Sequence, residues 1–177
     1  MDIKKIKRFQ IFSVIFTFIF GTILHFTYQW SGENNFVAIF SAINESVWEH
    51  LKLLYFPMLI TTIIGYFYLG KEVPNFVYAK AIGILTAIIF TIVFFFTYTG
   101  VLGRSIAIVD IASFFIATIL GEYVAYRLMK SRFKCKYRID IIILIVLGIS
   151  FIIFTFFTPK IGIFKDPVTG NYGLTNI

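Results

Sequence analysis

The chain has 177 residues, of which 59% are hydrophobic, 20% aromatic and only 14% charged, with 23 Phe. A soluble domain carries about 25% charged residues, and this much apolar surface exceeds what one small water-soluble core can hide. The composition excludes a disordered chain, a collagen-like fibre, a disulfide-stapled secreted domain and a nucleic-acid module, and it indicates a membrane protein.

Five stretches are apolar enough to cross a hydrocarbon core of about 30 Å, which takes about 20 helical residues. Phe9–Tyr28 is charge-free and follows the basic run Lys4, Lys5, Lys7 and Arg8. Its apolar run is too long for a secretory signal and no small-residue cleavage pattern follows it, so it reads as a retained helix. Leu53–Leu69 contains Pro57 and ends at Gly70. Ala81–Tyr98 is charge-free. Ser105–Tyr126 carries Asp110 and Glu122. Ile141–Thr158 is charge-free and stops at Pro159. The expected fold is therefore all-α: one membrane domain of five transmembrane helices, with Gly21 and Gly83 as close-packing points between them. No internal repeat is visible.

Between the first two spans, Phe36, Ile39, Phe40, Ile43, Val47 and Leu51 recur at helical spacing and draw one apolar stripe. Ser31, Gly32 and Asn34 precede it as helix-start signals. A straight helix from Phe36 to Leu69 would be about 51 Å long at 1.5 Å per residue, too long for the bilayer. A bend is expected, with an interfacial or re-entrant amphipathic helix over Phe36–His50.

Charge assigns the sides. With the N-terminus cytoplasmic, twelve of the 16 Lys and Arg fall in cytoplasmic segments, and Lys52, Arg104, Lys160 and Lys165 fall outside. Such a bias over short loops follows the positive-inside rule. It predicts a cell-membrane protein with a cytoplasmic N-terminus and an extracytoplasmic tail, Pro159–Ile177. The net charge of +7 is then mainly a topology signal. The basic loop Arg127–Arg138 doubles as a contact for anionic lipid heads. It holds the single cysteine, Cys135, which permits neither an internal disulfide nor a CxxC metal site. The partners expected are the lipid bilayer and those lipid heads, with no nucleic acid; the oligomeric state stays open.

The stretch NESVWEHLKLLYFP at Asn44–Pro57 resembles the signature of an uncharacterised family of small multi-pass membrane proteins of Gram-positive bacteria, a domain of unknown function. LHFTYQWSGENNFVAIFSAI before it and KIGIFKDPVTGNYG in the tail resemble the family's other recurring segments. The resemblance implies a five-span membrane fold and no assigned chemistry.

Read residue by residue, the same stretch stacks Glu45 and Glu49 on one helix face, with Lys52 three residues on, and pairs Asn44 with Trp48. His50 points about 100° away from Glu49 on a helix. His25 sits near the outer end of the first span. Asp110 lies in the outer half of the fourth span, just after Arg104. These polar candidates either form the wet face of an interfacial helix or converge with Asp110 in a pocket open outward, since ionisable groups within membranes face cavities or one another.

A pocket admits three readings. His25, Glu45, Glu49 and His50 are competent ligands for a divalent transition metal, although ExxxEH is not the HExxH pattern. Alternatively, Glu49 acts as a base on a lipid or isoprenoid head group, partnered by His50 or His25, with Lys52 or Arg104 holding a phosphate. The third reading is binding without chemistry, in a transport or permeation component or a substrate-capture subunit. A structural partner of another membrane protein also fits the composition. The common statement is an outward-facing polar site that acts on or senses an amphiphile; whether the protein is an enzyme stays open. Elsewhere, Asp110 is expected to pair with Arg104, and Glu122 with Arg127 or Lys130. The turn residues Asp166, Pro167 and Gly170, with apolar anchors around them, predict a tail hairpin that lids the pocket.

Overall fold

A computed structural model describes residues 2–131 and 138–174. Six α-helices follow in order: α1 Ile3–Trp30, α2 Asn35–Ala38, α3 Val47–Leu69, α4 Phe76–Leu102, α5 Ala107–Ser131 and α6 Ile139–Phe156. A 3-10 turn at Gly162–Phe164 opens the tail. The described residues contain no strand, and only an isolated bridge joins Lys165 to Tyr172. All helices except α2 are long and apolar enough to cross a membrane. Of the basic loop expected to touch lipid heads, Arg132, Lys134 and Lys136 lie outside the described residues, as does Cys135.

Of the five long helices α3 is the most enclosed, packed against α1, α4 and α6. In its most apolar window 61% of the residues are buried against protein, compared with 22–28% in the other four. Helices α4 and α5 form the most extensive pair, α1 packs on α3 and α5, and α6 closes against α3 and α4. Outward faces remain greasy: Ile11, Ile15 and Ile19 on α1 and Ile142, Ile145 and Val146 on α6 are all about half exposed or more. Water does not tolerate such continuous apolar faces, whereas hydrocarbon does.

The ends of α1, α3 and α5 nearest the tail define one end of the bundle, and there the structure differs from the expected helix over 36–50. Helix α2 stops at Ala38, residues 39–46 turn without helix, and α3 starts six residues before the expected span. Polar side chains cause the interruption by offering the backbone other partners. Ser41 accepts from the Tyr28 amide at 2.9 Å and donates to the Leu24 carbonyl, tying the turn to α1. The Asn44 side chain accepts from the Ser46 amide at 2.9 Å. Ser46 then caps α3 by accepting from the Glu49 amide at 3.4 Å. Ser46-x-x-Glu49 is the capping-box spacing, although Glu49 reaches back to the Ile43 amide at 3.1 Å and not to Ser46.

Two expected pairings are corrected. Glu122 does not pair with Arg127 or Lys130 on its own helix. It meets Lys80 of α4 at 2.5 Å, and both side chains are buried. Arg127 instead donates to the Tyr123 hydroxyl at 2.9 Å. Lys80, read as a loop cation, therefore lies inside the bundle. Asp110 does not pair with Arg104; it accepts a hydrogen bond from the Tyr98 hydroxyl.

Candidate functional site

At the tail end, α1, α3, α4 and α5 leave a cavity of about 400 Å³. Its walls include Leu53, Leu54, Phe95, Ile111 and Phe114, and four ionisable side chains face it: His25 from α1, Glu45 from the 39–46 turn, His50 from α3 and Asp110 from α5. Gly21 forms part of the wall because α1 and α3 approach too closely there for any side chain: a Cβ would sit 2.7 Å from the Leu53 carbonyl oxygen. Leu53 is also the residue whose helical hydrogen bond Pro57, lacking an N–H, cannot complete.

The capping arrangement described above decides which carboxylate meets the histidines. Because α3 begins at Val47, Glu45 lies before the helix and turns back toward α1. Its Oε2 is 3.5 Å from His50 Nε2 and 3.9 Å from His25 Nε2. The two imidazoles stand edge to face, with centroids 5.1 Å apart. One ligand atom from each of His25, Glu45 and His50 lies within 4.8 Å of the others. Tetrahedral zinc with ligands at 2.0–2.1 Å holds its donor atoms about 3.4 Å apart. The 3.5 Å separation already fits that geometry, whereas the 3.9 Å one and the spacing of the two imidazoles require the side chains to draw together around an ion.

Hydrogen bonding also orients the His50 ring. Its Nδ1 is 2.9 Å from the Ser46 carbonyl oxygen. A carbonyl only accepts, so Nδ1 donates, and Nε2 is the ring atom turned toward Glu45 and His25. A ring held this way by a backbone carbonyl has the outer-shell support typical of a metal-ligating histidine. Across the cavity, Asp110 is oriented by Tyr98, whose hydroxyl accepts from the Ile106 amide at 3.2 Å while donating to the carboxylate.

The other sequence candidates lie elsewhere. Glu49 and Lys52 are both buried and bonded to each other at 2.5 Å. Lys52 Nζ also donates to the Ala38 carbonyl at 2.7 Å and to Thr155 at 3.0 Å. This pair ties α2, α3 and α6 together and leaves neither member facing the cavity. Asn44 donates to the Gly173 carbonyl at 3.2 Å, which pins the tail. Arg104 is exposed, beside cavity-lining Ser105.

The tail folds back over this end. Phe164 is buried between Trp48 and Phe154. Asp166 Oδ1 accepts from the Val168 and Thr169 amides at 2.7 and 3.2 Å. That turn places Pro167 and Val168 in the cavity wall. Gly173 has φ +63° and packs so closely on Thr158 that a Cβ would meet its Oγ1 at 2.4 Å.

A model of a family of unknown function, DUF6512, matches residues 1–174. The chain belongs to this family. No curated protein and no solved structure matches it. Membership carries no assigned chemistry, and the membrane reading rests on the five long apolar helices. Tyr98 and Lys80 were absent from the sequence-derived candidates. Tyr98 carries no distinguishing local pattern, and only the tight α4–α5 connection brings it to Asp110. Lys80 looks like a loop lysine until the start of α4 at Phe76 is known.

Proposed function

We propose that the protein is a multi-pass cell-membrane protein whose His25, Glu45 and His50 bind one divalent transition metal at a cavity that takes an amphiphile, acting on it or sensing it. The observation that carries this reading is the convergence of two imidazoles and one carboxylate, from α1, α3 and the turn between them, at the wall of a mainly apolar cavity. Three protein ligands leave a fourth position for water or ligand, which is the arrangement of catalytic more than structural zinc sites. Glu49 drops out of the ligand set because its carboxylate is committed to Lys52.

The proposed orientation places the N-terminus in the cytoplasm and the cavity outside. With Lys52 and Lys80 buried in ion pairs, the remaining cations divide eleven to three in favour of the N-terminal side, so the bias that supports this orientation strengthens. A reporter enzyme fused to the tail, active only outside the cytoplasm, tests it.

Elemental analysis of the purified protein tests the metal. One equivalent of transition metal is expected in the wild type and a loss of it in His25→Ala and His50→Ala. A folded wild type that stays metal-free after loading with zinc, manganese or iron would overturn the proposal.

A further inference from the structure

The charge around the cavity says which amphiphile it accepts. Among the described residues lining it there is no Lys and no Arg, whereas two carboxylates, Glu45 and Asp110, face it. The lysine nearest in sequence, Lys52, is fully buried in its pair with Glu49 and donates its remaining protons to Ala38 and Thr155. Among the lining residues a phosphate or carboxylate head group would thus meet two carboxylates and no Lys or Arg, Arg104 beside Ser105 being exposed and outside the wall. A metal at the histidines would bring the sum of these charges no higher than neutral.

Asp110 supplies the positive side of the argument. One oxygen is held by the Tyr98 hydroxyl, which itself is fixed by the Ile106 amide. The other has no hydrogen-bond partner among the described residues, in a side chain that lines the cavity. An oriented carboxylate in apolar surroundings binds a donor, and binds a cationic donor most strongly. The neighbouring aromatic rings Phe95, Phe114 and Phe115 can receive either an alkyl chain or the face of an ammonium group. A volume of about 400 Å³ is near the low end for ligand pockets, which suits one chain and not two.

We propose that the cavity binds a single-chain amphiphile whose head group donates hydrogen bonds and carries no negative charge, an amine or an alcohol, with Asp110 as its acceptor. This rests on the reading of the cavity as a ligand site, and it does not require the metal.

The test uses the full chain in detergent micelles and three twelve-carbon probes, dodecylamine, dodecanol and dodecyl phosphate, with one-to-one adducts counted by native mass spectrometry. Each is titrated into protein stripped with EDTA and into protein loaded with zinc. Dodecylamine and dodecanol should bind at one per chain, and dodecyl phosphate at least tenfold more weakly. Asp110→Asn should weaken dodecylamine at least tenfold. Tyr98→Phe, which keeps the carboxylate and frees its orientation, should weaken it two- to fivefold and provides the test if Asp110→Asn is not monodisperse. Equal binding of dodecyl phosphate, or indifference to both Asp110→Asn and Tyr98→Phe, would overturn the proposal. If zinc does not bind but Asp110-dependent amine binding persists, the metal reading fails and this one stands. If none of the probes binds in either state, both this proposal and the ligand cavity fall.

Discussion

The Lys80–Glu122 pair and the His25–Glu45–His50 cluster both put ionisable side chains into an otherwise apolar bundle, and they differ in what remains once each group's own partners are counted. Lys80 is fully buried, bonded to Glu122 at 2.5 Å and surrounded by Ser13 at 3.4 Å and Thr61 at 3.3 Å. Gln10 adds a hydrogen bond to the Glu122 carbonyl at 2.9 Å. The charge is neutralised inside the protein, by residues from four helices, although the second Glu122 carboxylate oxygen is buried without a hydrogen-bond partner. The cavity cluster is about one third to one half exposed, holds Glu45 3.5 and 3.9 Å from the two imidazoles, and has no Lys or Arg paired with Glu45 among the described residues. Glu45 and Glu49 repeat the contrast four residues apart: Glu49 is closed by Lys52, while Glu45 stays open. A closed pair holds helices together, and an open cluster has capacity left for a ligand.

Substitutions separate these roles, and the largest effect is expected at the closed pair. Lys80→Met leaves Glu122 buried without a counter-charge and should cost about 3–5 kcal/mol, measured by reversible unfolding in mixed micelles. The double variant Lys80→Met with Glu122→Met should recover most of that loss. A cost below about 1 kcal/mol for Lys80→Met would remove the distinction between the two regions, since it is what exposed pairs show.

Zinc at a hundred times its dissociation constant should stabilise the wild type by about 2.7 kcal/mol. The gain should vanish in His50→Ala and persist in Glu49→Gln relative to that variant's own metal-free stability. Loss of the zinc response in both variants would make Glu49 part of the open cluster after all.

Helix separation comes next. A Cβ at Gly83 would lie 2.5 Å from the Gly121 carbonyl oxygen, one residue from Glu122. Gly83→Ala should therefore push α4 from α5 and cost about 1–3 kcal/mol, with zinc binding at the far cluster unchanged. Asn44→Ala, which releases the tail at Gly173, should cost about 1 kcal/mol and speed ligand exchange if Pro167 and Val168 cover the cavity. Deleting residues 166–177 with no change in either quantity would show that the tail is no lid. The smallest effect belongs to the open cluster itself: His25→Ala in metal-free protein should alter stability by no more than about 0.5 kcal/mol.

Composition and hydrophobic run length were enough to establish a helical membrane protein with five long apolar helices, because the need to bury backbone polar groups in hydrocarbon leaves few alternatives. Asp2, Asn34 and Ser46 each stand just before a helix and cap it through local hydrogen bonds, so these starts were also written locally. The stripe over 36–51 misled because periodicity records which face is apolar and does not register Ser41, whose hydroxyl binds α1 across the turn. Partner choice was decided only by tertiary packing. The Ser46 cap sets Glu45 before α3 and Glu49 inside it, but nothing local directs Glu45 to His25, or Glu122 to Lys80 and not to Arg127. Pairings across the fold connect residues up to 129 positions apart, as Asn44 and Gly173 are, and they follow from how the elements pack. The residues for a site were therefore visible in the sequence, but which of them remain unsatisfied, and so available to a ligand, depended on the packed bundle.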